Sequence, residues 1–175
     1  LKARVIDQLG AGIAGWPVTF TIKQGGGRFE GNLTSKTVGT DSLGFALISL
    51  TLGPVPGVGN NVVEAIASID GTPLDGSPIN FSASAIVGAP VALKIAEGDS
   101  QRGVVGLPLP TPLKAKVVDA LDNGVPGFPV TFQVKAGGGN IAGQQTVTKN
   151  TDVNGEANIT LTVGTSSGQF NNIVE

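Results

Sequence analysis

The chain has 175 residues, of which 40% are hydrophobic and 14% are charged, and its net charge is −2. Because the sequence contains no His, Cys, Met or Tyr, it has no imidazole base and no thiolate ligand, and a Ser-His-Asp or Cys-His active site is impossible. Residues 1–86 hold 5 basic and 6 acidic residues and residues 87–175 hold 6 and 7, so neither part has the basic surface that nucleic acids require. No apolar run approaches the ~18–20 residues of a membrane span.

Alternation of apolar and polar residues predicts a series of short strands. Trp16, Val18, Phe20 and Ile22 share one face of one such strand, whereas the residues between them face the other way. In chain order, strands are predicted near residues 1–7, 16–24, 33–40, 45–52, 61–69, 78–86, 90–97, 102–106 and 113–119. Turns rich in Gly, Pro and Asp separate them, and no stretch has a helical pattern. The predicted fold is an all-β sandwich of two sheets.

The sequence repeats itself with a period of about 111 residues, roughly one domain. Residues 1–29 and 113–141 are identical at 16 of 29 positions, and the similarity continues from 40–53 to 151–164 and from 60–64 to 171–175. The repeat predicts two β-sandwiches in tandem, with domains at 1–86 and 87–175 joined near Gly88-Ala89-Pro90.

The two predicted domains are incomplete in complementary ways. Residues 1–86 have no counterpart of 87–112, the first strand or strands, and residues 87–175 have no counterpart of 65–86, the last strands. The favoured explanation is an excerpt of a longer array, and because the sequence has no initiator Met we expect Leu1 to lie inside a longer product. The alternative is a filament in which neighbouring chains supply strands beside residues 1–7 or 156–163.

Three short motifs recur in the same order in both copies. The V-x-D motif lies at Val5 and Asp7, the V-T-F strand at 18–20, and the T-D-x-x-G-x-A turn at 40–46. The second copy repeats them at 117–119, 130–132 and 151–157. In this order they resemble the bacterial immunoglobulin-like domains of the invasin/intimin family, although Ala14 replaces a Pro that is usual there. The resemblance implies tandem immunoglobulin-like β-sandwiches, repeated in an extracellular surface protein.

Inward-facing positions predict one core in each copy. In the first copy we expect Val5, Val18, Phe20, Ile22, Ile48, Leu50, Val63 and Phe81. In the second copy we expect Val117, Val130, Phe132, Val134, Ile159 and Leu161.

Several motifs could suggest a binding site, but each has a simpler structural interpretation. The glycine triplets 25–27 and 137–139 lack the helix and the GK[ST] sequence of a phosphate loop, so we interpret them as tight chain reversals. The TDSLG and TDVNG segments, at 40–44 and 151–155, lack the full oxygen set of a calcium loop and are interpreted as β-turns. Asp7 and Asp119 are expected to accept N–H bonds from the turns that follow them.

Two further features receive structural interpretations. Trp16 is expected to pack in the core or between domains rather than against a sugar. Three glycosylation sequons, at Asn32, Asn80 and Asn158, arise easily in strands rich in Thr and Ser.

The sequence therefore favours a non-catalytic stalk or spacer of an extracellular bacterial surface or adhesin protein, with no catalytic, cofactor-binding or metal-binding residue. Alternatives are a filament subunit completed by neighbouring chains and a carbohydrate- or host-protein-binding module. The expected partners are neighbouring repeats of the same or adjacent chains, and a host or glycan ligand bound through a tip outside this sequence. Neither nucleic acid nor a membrane span in this segment is expected.

Overall fold

The computed structural model describes residues 1–168 and 171–175. The chain divides into two compact units, Leu1–Ile86 (unit 1) and Val87–Glu175 (unit 2). Every regular element among the described residues is a β-strand. The all-β class predicted from the sequence is confirmed, and the strands form immunoglobulin-like sandwiches.

Unit 1 contains seven strands. They are β1 (Lys2–Arg4), β2 (Pro17–Gln24), β3 (Ser35–Gly39), β4 (Phe45–Leu47), β5 (Gly57–Ile69), β6 (Thr72–Pro73) and β7 (Ile79–Ala85). β1 pairs with β4, and the larger sheet has the order β3-β2-β5-β6, with β7 also paired to β5. All these pairs are antiparallel.

Unit 2 repeats this arrangement with different strands at its margins. Its strands are β8 (Ala92–Glu97), β9 (Leu113–Val118), β10 (Pro129–Ala136), β11 (Asn140–Ile141), β12 (Thr146–Asn150), β13 (Glu156–Ile159), β14 (Leu161–Thr162) and β15 (Ile173–Val174). One sheet has the order β13-β9-β8 and another the order β12-β10-β15, while β11 pairs with β14. Strands β9, β10 and β13 are the counterparts of β1, β2 and β4.

Each unit has its own core, formed by the inward-facing residues of its strands. Val5, Val18, Phe20 and Val63 are buried in unit 1, and Ile22, Ile48, Leu50 and Phe81 pack partly buried against them. Val117, Val130, Phe132, Ile159 and Leu161 are buried in unit 2, where Val134 packs against them. The predicted core positions are therefore confirmed, because a period of two places alternate side chains on one face of a strand.

The cores also contain residues that the sequence did not single out. Ala3, Phe29, Ala46 and Ala65 are buried in unit 1, and Ile141 and Ala157 are buried in unit 2. Phe29 and Ile141 follow the glycine triplets, in segments where alternation is too short to be recognised. The alanines are buried because small side chains fill the narrow space between closely packed sheets.

The predicted strand at 102–106 is wrong. This segment is a loop, with a turn at 105–106 and one isolated bridge between Pro108 and Thr162. The Gln101 side chain closes the loop, because Nε2 donates to the carbonyls of Gly98 and Thr111 at 2.7 Å each. Within the segment the chain turns at Gly106, whose φ is 76°, and the Leu107 N–H donates to the carbonyl of Val104 at 3.0 Å. This turn interrupts the extended backbone that a ladder requires. Conversely, β6 lies in a stretch expected to be only a turn.

We predict that Phe132→Ala lowers the free energy of unfolding by about 3–5 kcal/mol, through lost burial and the cavity left behind. Phe132 is 6% exposed, whereas Phe128, four residues earlier, is 40% exposed. The matched control Phe128→Ala should cost less than about 1.5 kcal/mol. Denaturant unfolding followed by circular dichroism measures both, and equal costs would contradict the assignment of Phe132 to the core.

Candidate functional site

Two aspartate turns lie side by side at one end of unit 1. Asp7 Oδ1 accepts hydrogen bonds from the backbone N–H groups of Leu9 (2.9 Å) and Ala11 (2.8 Å). Asp41 Oδ1 accepts them from Leu43 and Phe45, at 2.9 Å each. Each carboxylate thereby satisfies N–H groups that have no ladder partner in a turn. The predicted structural role of Asp7, and the β-turn opened by Asp41, are confirmed.

The same pair of turns recurs in unit 2. Asp119 Oδ1 accepts bonds from Leu121 and Asn123 at 2.9 Å each. Asp152 Oδ1 accepts them from Asn154 (2.8 Å) and Glu156 (2.9 Å). These last two N–H groups hold the pKa of Asp152 below its usual value, with that of Glu156 the larger contribution. The carboxylates are therefore held ionised as hydrogen-bond acceptors.

Glycines allow the two turns of each unit to touch. A Cβ added to Gly12 would collide with the carbonyl of Leu43, and one added to Gly44 would lie 2.7 Å from the Cα of Gly12. Gly124 and Gly155 make the equivalent contact in unit 2, where a Cβ on Gly155 would lie 2.5 Å from the Cα of Gly124. A glycine is therefore required at each of these positions, because the two backbone segments approach too closely to leave room for a Cβ.

A buried threonine ties these turns to the neighbouring strand. Thr40 Oγ1 donates to the carbonyl of Ile13 at 2.6 Å and accepts from the N–H of Trp16 at 2.8 Å. Thr151 makes the same two bonds in unit 2, to Val125 at 2.7 Å and from Phe128 at 2.8 Å. One hydroxyl therefore satisfies a donor and an acceptor at a point where the sheet ladder ends.

Asp119 makes more bonds than the other aspartates. Its second oxygen, Oδ2, accepts from the N–H of Gly88 at 2.9 Å and from the side-chain amide of Asn123 at 3.1 Å. The Gly88 N–H is the main cause of a pKa lowered to about 2, and the bonds from Asn123 and Leu121 add to it. Asp119 thus holds the first residues of unit 2 against the turn that follows β9. The sequence indicated the turn but not this contact across 31 residues.

The glycine triplets lie at the opposite end of each unit, against an asparagine that is buried in unit 1 and partly buried in unit 2. In unit 1, Asn61 Oδ1 accepts from the N–H of Gly53 at 2.8 Å, and a Cβ on Gly25 would lie 2.6 Å from the same oxygen. In unit 2, Asn172 Oδ1 accepts from Gly164 at 3.0 Å, beside Gly137. The triplets therefore allow the chain to reverse direction against the asparagine. The positive φ of 93° at Gly25 and 89° at Gly137 is a backbone conformation that favours glycine in such a reversal.

The remaining candidate residues are Trp16 and the asparagines of the three sequons. Trp16 is half-buried against the core of unit 1, and its Nε1 has no hydrogen-bond partner among the described residues. Asn32, Asn80 and Asn158 are exposed.

The described part of the chain contains no group of three or more His, Cys, Asp or Glu side chains that could hold a metal ion. None of the described residues belongs to a helix of the length and hydropathy that crossing a membrane requires. The densest charged group that we find is Lys114, which contacts Glu97 at 3.1 Å and Glu156 at 3.3 Å. The bonds to Glu97 and then Glu156 raise the pKa of Lys114.

No family model and no curated protein matches the chain. Among solved structures, it is similar to the D0-D1 domain of intimin, with 25% identity over 95% of this chain and 76% of that chain and a TM-score of 0.37. It is also similar to invasin, a bacterial integrin-binding protein, with 19% identity, coverage of 95% and 30%, and a TM-score of 0.41. For the Yersinia pseudotuberculosis adhesin InvE, the identity is 19%, the coverage 94% and 46%, and the TM-score 0.40. The chain spans less than half of these last two structures, and all three are of the type that the sequence resembles.

We predict that Gly25→Ala destabilises the protein more than Gly26→Ala. Both glycines have positive φ, which costs an alanine about 1–2 kcal/mol. Only at Gly25 would the new Cβ lie 2.5 Å from the Asn60 carbonyl and disturb Asn61, whereas nothing lies within 4 Å at Gly26. Disrupting this buried hydrogen bond should add roughly 1–3 kcal/mol, measured by denaturant unfolding. Equal losses for the two variants would show that the contact with Asn61 is unimportant.

We also predict that Asp119 contributes to the pH dependence of stability. Its pKa is lowered from 3.8 to about 2 by folding, so the unfolded state binds more protons between these values. The contribution of Asp119 is therefore complete above about pH 4 and is lost as the pH falls through about 2. Asp119→Asn should flatten the decline in the denaturation midpoint between pH 4 and pH 2. Asp75→Asn, the same charge change in an exposed loop, is the control and should leave the decline unaltered.

Proposed function

We propose that this chain is a non-catalytic structural segment, a stalk or spacer built of tandem immunoglobulin-like repeats, in an extracellular bacterial surface protein of the adhesin type. The observation that carries the proposal is the duplication of the same side-chain-to-backbone hydrogen bonds. The aspartate turns, the threonine bridge and the glycine–asparagine contact occupy equivalent positions in both units. The repeated features are thus the bonds that hold the loops of a domain in place, which we call its framework.

The state of the carboxylates supports a non-catalytic role. A general acid near neutral pH needs a raised pKa and access to a substrate. Asp119 and Asp152 instead have lowered pKa values, and their oxygens are occupied by backbone N–H groups. Both carboxylates therefore act as ionised hydrogen-bond acceptors.

The framework suits a segment that transmits tension. Loops at both ends of each unit are fixed by buried side-chain bonds, such as those of Thr40 and Asn61. A load applied along the strands must break these bonds as well as the ladders before a loop can extend. A sequence without Cys or Met also suits an oxidising exterior.

The partners that we propose follow from this role. Neighbouring immunoglobulin-like repeats of the same or adjacent chains would contact this segment, and a host or glycan ligand would bind a tip elsewhere in the parent protein. At one pair of equivalent positions the copies differ, because Lys2 lies 3.7 Å from the ring of Phe45 whereas Lys114 contacts Glu156. A lysine that contacts different partners in the two copies does not by itself define a site for a specific ligand.

Force spectroscopy on single molecules tests the proposal. Stretching the chain should give two unfolding events, one for each unit, each releasing roughly 300 Å of contour at ~3.3–3.6 Å per residue. One event of about twice that length would contradict two independent repeats. Unfolding at forces no higher than those of a cytosolic domain of equal size would contradict a role under tension. A glycan or host-protein array on which the chain binds as specifically as an adhesin tip would favour a binding module.

A further inference from the structure

One edge of β10 is open over half its length. β12 pairs with the other edge through Pro129–Gln133, while β15 reaches only Val134 and Ala136, with Gln133 bonded to Glu175 at 2.7 and 2.9 Å. No described strand pairs with residues 129–132 on this side. Since partners alternate along an antiparallel ladder, the N–H and C=O of Thr131 point to the open edge. The sequence had placed vacant strand positions beside residues 1–7 or 156–163, and among the described strands β1 pairs only with β4 and β13 only with β9.

An apolar groove runs beside this edge. β8 and the residue before it carry a row of large apolar side chains, Val91, Leu93 and Ile95, which are 63%, 62% and 72% exposed. The groove encloses about 330 Å³, and its wall includes Val91, Leu93, Val117, Phe128, Val130 and Thr131. Contiguous exposed apolar surface of this kind marks an interaction site.

Unit 1 shows what fills the same position. There Ala65, Ile66 and Ala67 of β5 pair with Phe20, Thr19 and Val18, the counterparts of Phe132, Thr131 and Val130. β7 then pairs with β5, and Phe81 lies 6.3 Å from Phe20, measured between ring centroids.

The covering segment changes the burial of these residues. Val18 and Phe20 are 2% and 0% exposed, whereas Val130 and Phe132 are each 6% exposed. Trp16 is half-buried, while Phe128 at the same position is 40% exposed. These positions are thus more exposed in unit 2 than in unit 1.

We propose that the groove of unit 2 binds a β-hairpin with the side-chain pattern of residues 65–85. The hairpin continues the ladder begun by Gln133 and Glu175, so that residues equivalent to Ala65 and Ala67 lie opposite Phe132 and Val130. An aromatic side chain equivalent to Phe81 packs on Phe132. The inference rests on the proposed function and deepens it, because it names the chemistry of the contact between repeats.

A peptide with the sequence of residues 65–85, capped at both ends, tests this inference when titrated into the full chain. We expect one peptide to bind per chain by calorimetry and to slow amide exchange at Thr131 by at least about tenfold. Leu93→Asp, in the groove, should weaken binding by at least about tenfold, equivalent to ~1.4 kcal/mol. Leu47→Asp, at a position 56% exposed in unit 1, is the matched control and should bind the peptide unchanged.

A fusion provides the second measurement, because an isolated hairpin is weakly structured. Residues 65–86 placed directly after Glu175 stand in register, since NNIVE at 171–175 matches NNVVE at 60–64. We expect slower exchange at Thr131 and a higher melting temperature.

The inference is overturned if neither the peptide nor the fusion protects Thr131, or if Leu93→Asp and Leu47→Asp bind the peptide equally. It is also overturned if the chain self-associates in sedimentation experiments and excludes the peptide, since a second copy then covers the groove. Two force-induced unfolding events alongside any of these results would leave the proposed structural role intact.

Discussion

The need to satisfy backbone groups where the strand ladders end is the constraint on which the rest of this structure depends. A sandwich of short strands has many turns, and each turn leaves N–H and C=O groups without ladder partners close to a small core. At one end, Asp7 and Thr40 supply oxygens to these groups, and at the other end Asn61 does so. Leaving one buried group unbonded costs about 1–3 kcal/mol, a large fraction of the stability of a small domain.

This constraint also explains the glycines. An oxygen of Asn61 reaches Gly53 only if the chain at Gly25 approaches without a side chain. The paired aspartate turns meet only because Gly12 and Gly44 have no Cβ. The close approach of the backbone at these glycines and the hydrogen bonds to the turn groups therefore depend on each other. A substitution that disturbs one also disturbs the other.

The two units share this framework but differ in how their sheet faces are covered. In unit 1, the hairpin that follows Glu64 covers β2 and places Phe81 on the core. In unit 2, β8 is added to the opposite sheet, and its apolar row faces an open groove. The exposed apolar side chains lie beside an edge to which another strand could pair. They are therefore contiguous, unlike apolar residues scattered singly over a surface.

The sequence by itself determined the all-β class, the repeat, most strands and the inward-facing core residues. These properties depend on local alternation, which is visible in stretches such as 16–23. It also indicated that Asp7 and Asp119 cap turns, because an aspartate acts on groups two and four residues away.

Tertiary structure alone decided the contacts between distant segments. The bond from Gly88 to Asp119, the burial of Asn61 beside Gly25, and the open edge at Thr131 each depend on which strands become neighbours. The segment 102–106 has an apolar pattern suited to a strand, yet the chain turns at Gly106 and the carbonyl of Val104 accepts from Leu107 across that turn. Strand neighbours are set by the packing of the whole sandwich, and local alternation carries no information about that packing.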